Sequence, residues 1–345
     1  MTQVATLPDP LEEVAPPRGR SGGMAWAFWL ARRLGLAVLT LWLVSVLVFL
    51  ATAALGDPVR AILGRDYDSN VARREQLEAQ LGIGDSILTR YLDWLGGLVT
   101  GDFGTSLANQ LPVWEQISSN VVNTLVLVLL AAVVMIPLAF GIAMISAHFR
   151  RRRPDTVIQT ILLALAGVPE FVTGILLVAL FSTTVFHAFP AVTIVSPTGG
   201  HPWDEPKGMV LPVATLVLAV TPYVSRIVRA TLLEVLDSDY VELARLKGIP
   251  EPVVMRRHAL LNAIVPGIQV IALQLAWLAG GVVLVETLFA YPGVGRQLVD
   301  SVRNHDVPMV QALSMIIAAV YIVVNLVADI LSILLTPRAR TAISS

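Results

Sequence analysis

Six long apolar runs constrain this chain more than any other feature of its sequence. They occupy residues 34–55, 121–147, 157–186, 209–228, 263–289 and 310–335. A helix needs about 20 mostly apolar residues to cross the hydrocarbon layer of a bilayer, and each run is long enough. The runs predict an all-α integral membrane protein of about six transmembrane helices. Composition agrees, because only 14% of the chain is charged and 55% is hydrophobic, whereas soluble domains carry about 25% charged residues. The run at 157–186 is too long for one straight helix, so Pro169 is expected to kink it or its end to fold along the surface. The run at 209–228 contains Pro212 and Pro222, which neighbouring helices can accommodate in a membrane. There is no cysteine, which excludes disulfides, thiol chemistry and a cysteine-based metal site.

Orientation follows from the Lys/Arg content of the short loops. Arg32 and Arg33 precede the first run, and Arg150, Arg151, Arg152 and Arg153 follow the second. Arg226, Arg229, Arg245, Lys247, Arg256 and Arg257 fall between the fourth and fifth, and Arg338 and Arg340 follow the sixth. The alternate loops are poorer in cations, which predicts a multi-pass protein of the cytoplasmic membrane with both termini in the cytoplasm. The expected organisation is a disordered tail at 1–28, a first transmembrane helix at 29–56 and an extracytoplasmic helical loop at 57–120. A five-helix core at 121–336 follows, with a cytoplasmic loop at 231–262, then a tail at 337–345. The first run is too long, and the polar tail before it too extended, for a cleavable signal peptide, although Ala51-Thr52-Ala53 resembles a cleavage site.

The segment from Thr231 to Pro266 is too polar to span and too regular for an irregular loop. Asp239 is placed to cap a helix, with Glu242 three residues on to complete a capping box. Tyr240, Leu243, Ala244 and Lys247 share one side at helical spacing. Gly248 suits the left-handed turn that ends helices, and Pro252 suits the first turn of a second helix. The expected product is a short helix, a sharp turn and a second helix between two spans.

Glu242-Leu243-Ala244 followed by Gly248 resembles the EAA loop of ABC importer permeases, and it stands before the penultimate span, as in that family. The run from Asp239 to Gly248, with Arg257-His258-Ala259-Leu260-Leu261-Asn262-Ala263 after it, is similar to the B-type permease subunit of dipeptide and oligopeptide importers. Arg32-Arg33-Leu34, the stretch Gly101-Asp102-Phe103-Gly104-Thr105-Ser106, and Glu286-Thr287-Leu288-Phe289-Ala290-Tyr291-Pro292-Gly293-Val294-Gly295 fit the same subfamily. Leu243 departs from the first alanine of the pattern, and the Leu-Pro that usually closes it is absent. The resemblance implies a type I ABC importer-like permease fold and a subunit that moves short peptides or similar small solutes. It implies a second homologous permease subunit, two ATPase subunits that carry ATP and Mg, and an extracytoplasmic solute-binding protein. It also implies that Asp239, Tyr240, Glu242, Leu243, Ala244, Lys247, Gly248, Arg257 and His258 meet the ATPase. Besides these protein partners only membrane lipid is expected, and no nucleic acid.

Charged residues inside spans are functional candidates. Glu170, after Pro169, and Glu286, near the outer end of the fifth run, are candidates for pore or gate. Glu170 is balanced against a glutamate bonded between helices, and Glu286 against an interfacial carboxylate. Asp329, near the cytoplasmic end of the sixth run, reads as solvated or capping. Gly101 to Ser106 is not a phosphate-binding loop, because that motif needs Gly-Lys-[Ser/Thr] and neither Lys207 nor Lys247 follows a glycine. No cofactor is expected in this chain, and its five histidines show no metal-binding spacing. A transporter subunit without its own catalytic site is the resulting expectation. A secondary carrier driven by an ion gradient is the alternative; it would call for paired intramembrane carboxylates and repeated halves.

Overall fold

The computed structural model describes residues 22–54, 59, 63, 67–80, 86–195, 200–255 and 260–335. Among these, regular structure is helical apart from one isolated bridge between Thr105 and Pro112. The first apolar run forms α1 (Gly22–Ala54), followed by α2 (Val71–Gln80) and α3 (Ile87–Thr100). The second forms α4 (Val113–His148). The third divides into α5 (Arg153–Ala166) and α6 (Glu170–Val178), the latter continued to Thr184 by a π-helical turn. The fourth run forms α7 (Lys207–Leu236), and α8 (Asp239–Leu246) follows it. The fifth forms α9 (Leu261–Leu288), then come α10 (Val294–Arg303) and α11 (Val307–Leu335), which holds the sixth run.

Four helices, α1, α4, α7 and α11, are long and apolar enough to cross a membrane, and α5–α6 adds a fifth if the bent pair is one span. The fifth sequence run is a single 28-residue helix, α9. The break between α5 and α6 turns the chain by 99°. Pro169 accounts for it. Its φ and ψ of −58° and 143° are extended, it has no N–H to continue α5, and its ring disfavours helical geometry at Val168. The expected kink is therefore a break. Gly174 lets α6 press against the end of α9, since a Cβ there would lie 2.5 Å from Leu288 Cδ2.

Packing places α7 at the centre and α1 at the periphery: 67% of the apolar window of α7 is buried against 11% for α1. The main core joins α4, α7 and α9 through Leu127, Met135, Leu216, Val224, Leu278 and Val285. Pro212 within α7 leaves the Gly208 carbonyl without its helical donor, and the Thr193 hydroxyl donates to that carbonyl at 3.0 Å. At the edge, α1 and α11 are tied near both ends. Gln311 Nε2 donates to Thr52 Oγ1 at 2.8 Å, and Arg33 pairs with Asp329 at 2.8 Å. Asp329, read from sequence as solvated or capping, is thus the partner of a cation on a neighbouring helix.

Candidate coupling segment and buried carboxylate site

Beyond the apolar run that ends at 228, α7 continues to Leu236, so the polar segment begins on a stiff helical extension. Ser238, with φ and ψ of −82° and 150°, is extended and stands at the N-cap of α8. The expected cap is displaced by one residue: Asp239 is the first helical residue and no side-chain capping bond forms. The reason is local, because the Ser238 hydroxyl donates back to the Val235 carbonyl. Asp239 and Glu242 still lie in the first turn, where carboxylates oppose the positive end of the helix dipole.

The single side expected for Tyr240, Leu243, Ala244 and Lys247 is divided. Val241 and Ala244 are buried, whereas Tyr240, Glu242, Leu243, Leu246 and Lys247 are exposed. Leu246, at 78% exposure, is the most open apolar side chain here. Gly248 has φ +75°, the left-handed geometry that glycine adopts without strain. Pro252 lies in the first turn of the helical stretch Glu251–Val253, as expected. Arg257 and His258 lie outside the described residues.

Arg245 holds this elbow in shape. Its guanidinium grips both oxygens of Glu251 at 3.1 and 2.7 Å and donates to the Leu236 carbonyl at 3.2 Å. One side chain thereby joins the end of α7, α8 and the turn after Gly248. The hydrogen bonds from Arg245 hold the Glu251 carboxyl below its ordinary pKa of 4.5. The base of the segment is tied to neighbouring helices as well. Arg150, after α4, makes two hydrogen bonds to Asp237 and keeps that carboxyl below the usual range. Buried Asp155 of α5 pairs with Arg229 of α7 at 2.6 Å and accepts from Ser146 of α4 at 2.6 Å.

At the other end, Glu286 is fully buried, at 0% exposure. Its Oε1 accepts from the Thr124 hydroxyl at 2.6 Å. Its Oε2 accepts the N–H groups of Gly295 and Arg296 at 2.7 and 3.1 Å, so the carboxyl group caps α10 from the end of α9. Thr124 Oγ1 in turn accepts the Val294 N–H at 2.9 Å. The backbone must pass so close that a Cβ at Gly293 would lie 2.0 Å from Glu286 Oε1. Asn123 donates to the Pro292 carbonyl at 2.9 Å, and the Tyr291 hydroxyl donates to the Asn123 carbonyl at 2.8 Å. Nearby, Asp306 caps α11 and is 3% exposed; it accepts from the Ser106 hydroxyl and from the Leu107 N–H at 3.1 Å. Val113, Ile117, Val294, Met309 and Leu313, with Phe103 against them, join these segments in one apolar cluster.

Glu170 stands apart from that network. It is the first residue of α6, at the break, half-buried, and has no hydrogen-bond or ion-pair partner among the described residues. Among the described residues no three His, Asp or Glu side chains converge on a metal site.

Sequence reading missed Arg245–Glu251, Asp155–Arg229, Thr124–Glu286 and Ser106–Asp306. The last three pairs join residues far apart in sequence, which no periodicity reveals. Asp306 alone carried a local signal, an aspartate just before an apolar run.

Two family models match the chain. One, described as binding-protein-dependent transport system inner membrane component, covers residues 139–341, and its N-terminal companion covers 26–128. The chain is 36% identical over 310 residues to the glutathione transport system permease protein GsiC of Escherichia coli strain K12 and of Shigella dysenteriae serotype 1 strain Sd197. Each alignment covers 90% of this chain and 97% of the relative. A crystal structure of an amino acid ABC transporter with histidines aligns with a TM-score of 0.46 at 21% identity, covering 64% of this chain and 92% of that one.

Proposed function

The chain belongs to the binding-protein-dependent ABC importer permeases of the dipeptide/oligopeptide family, and from that premise we propose that it is the membrane subunit through which short peptides, glutathione-like ones included, enter the cell. It is a multi-pass inner-membrane subunit of a transporter. In our reading six spans cross the bilayer, α9 among them, with both termini in the cytoplasm. A second homologous permease completes the pathway, a solute-binding protein delivers the solute, and two ATPase subunits hold ATP and Mg.

The α8 elbow carries this reading. Its outward face presents Tyr240, Glu242, Leu243 and Lys247 (all exposed) on a helix locked to the end of α7 by Arg245. An elbow that keeps its shape transmits a push, and an irregular loop would absorb it. When the ATPases close, α8 moves with them and α7 carries the displacement into the core. That drives alternation only if α8 binds the motor differently in the two pore states. The peptide character of the solute rests on the glutathione-transporting relatives. Glu170, a carboxylate at the break of a span with no partner among the described residues, is the residue we assign to a peptide amine.

The test is reconstitution with the neighbouring permease, ATPase and binding-protein subunits, followed by peptide-stimulated ATP hydrolysis and peptide uptake. Glu242→Arg and Gly248→Pro are expected to leave the complex assembled and to separate hydrolysis from uptake. Normal coupling in both variants would remove α8 as the joint. Uptake by the chain without any ATPase would make it a secondary carrier.

A further inference from the structure

The region between α1 and α4 is expected outside the membrane, yet α3 is not built like a water-facing helix. Its apolar residues form two adjoining strips. In one, the Tyr91 hydroxyl bonds Ser45 Oγ of α1 at 2.9 Å, and the rings of Tyr91 and Trp94 lie 5.4 and 5.8 Å from that of Phe49. The other consists of Leu88, Leu92, Leu95 and Val99, at the spacing of one helix face. Leu88, Leu92 and Val99 are 66%, 55% and 80% exposed. Arg90, Asp93 and Gly97 fall on the opposite side.

Depth follows from the ties already described. Thr52 of α1 meets Gln311 near the start of α11, and the loop after α3 is fastened to Asp306 immediately before α11. The C-terminal end of α3 and the end of α1 therefore lie near one level. Ser45 is nine residues before Ala54, and Tyr91 is nine before Thr100, so both are about 14 Å below that level at 1.5 Å per residue. That is close to the middle of a hydrocarbon layer about 30 Å thick.

We propose that α3 is seated in the bilayer beside α1, with Leu88, Leu92, Leu95 and Val99 against lipid acyl chains of the leaflet nearest the start of α4. On the side of α1 away from Ser45, Leu43, Leu47 and Leu50 are 48%, 66% and 50% exposed, so α1 presents apolar surface over the same depth. Its uncharged, aliphatic chemistry fits acyl chains and offers nothing to a charged headgroup. The proposal depends on α1 being a span, and not on the identity of the solute.

The chain has no native cysteine, so single labels report cleanly. Leu92→Cys, Val99→Cys and Asp93→Cys, with Leu47→Cys on α1 as reference, would each carry a nitroxide in the assembled transporter in liposomes. Collision with oxygen, which concentrates in lipid, is compared with collision with a water-soluble nickel chelate. The label at 92 is expected to follow the reference, the label at 99, near the boundary, to favour oxygen less strongly, and the label at 93 to invert that ratio. Nickel access at 92 and 99 equal to that at 93 overturns the proposal in favour of an aqueous helix. Protection of 92 and 99 from both reagents overturns it in favour of a protein partner. Nickel access at the reference position would instead defeat the span assigned to α1. Co-purification with the partner subunits establishes that each variant is folded.

Discussion

At the α9–α10 junction, Glu286 and nearby Asp306 are 0% and 3% exposed, and each carboxyl group receives hydrogen bonds from separate segments. At the opposite end, Arg245 and Glu251, which shape the α8 elbow, are 41% and 45% exposed. A buried acceptor that loses its place leaves its donors unpaired in a medium without water, a penalty of about 1–3 kcal/mol each. An exposed ion pair is worth only about 0.2–1 kcal/mol. The Glu286 end is therefore held in one geometry, while the α8 elbow keeps its shape at a strength that permits it to be displaced.

The sharpest challenge to that contrast is Gly293→Ala. The new Cβ falls 2.0–2.4 Å from the Glu286 carboxyl atoms and drives the group off its donors as well as overpacking the site. A loss of at least about 4 kcal/mol is expected, read as failure to accumulate in the membrane. Normal accumulation would show that the Glu286 end is not over-determined. Glu286→Ala comes next, at about 3 kcal/mol or more for three abandoned donors at about 1 kcal/mol or more each. Glu286→Gln, which keeps one acceptor oxygen, should fall between it and the native protein in thermal stability of the purified complex. Arg245→Ala belongs at about 1 kcal/mol or below: normal assembly, weaker coupling of hydrolysis to uptake, and greater mobility of a spin label at Leu246→Cys. If it disturbs assembly as strongly as Glu286→Ala, the contrast collapses.

The smallest effect is one of pH. The folded-state pKa of Glu251 is lowered, so its contribution is complete above the ordinary value of 4.5 and is lost as pH falls through the folded value. Label mobility at position 246 should stay flat from neutral pH to about 5 and rise only well below 4.5. In the Arg245→Ala background it should be high at every pH.

The long apolar helices and the glycine turn at 248 were legible because each is written locally, as a run of apolar residues or one residue with unusual backbone freedom. Pro169 signalled an interruption, but not its angle of 99°, which is set by how α6 meets α9 at Gly174. Asp239 was misplaced by one position because serine and aspartate are both good caps and only the backbone decides between them. The Glu286 cluster was invisible for a different reason: Thr124 and Glu286 are 162 residues apart, so the motif around Glu286 marked the place without its partner. The split of α8 into an inner and an outer strip likewise depended on where α7 ends.

The hydrogen bond from Thr193 to the Gly208 carbonyl has a consequence for how this sequence can drift. Threonine at 193 matters because proline stands at 212. With an N–H at 212 the Gly208 carbonyl would have its helical donor back, and valine at 193 would cost little. While Pro212 remains, Thr193→Val strands that carbonyl in a buried site, so the two positions are open to change in one order and closed in the other.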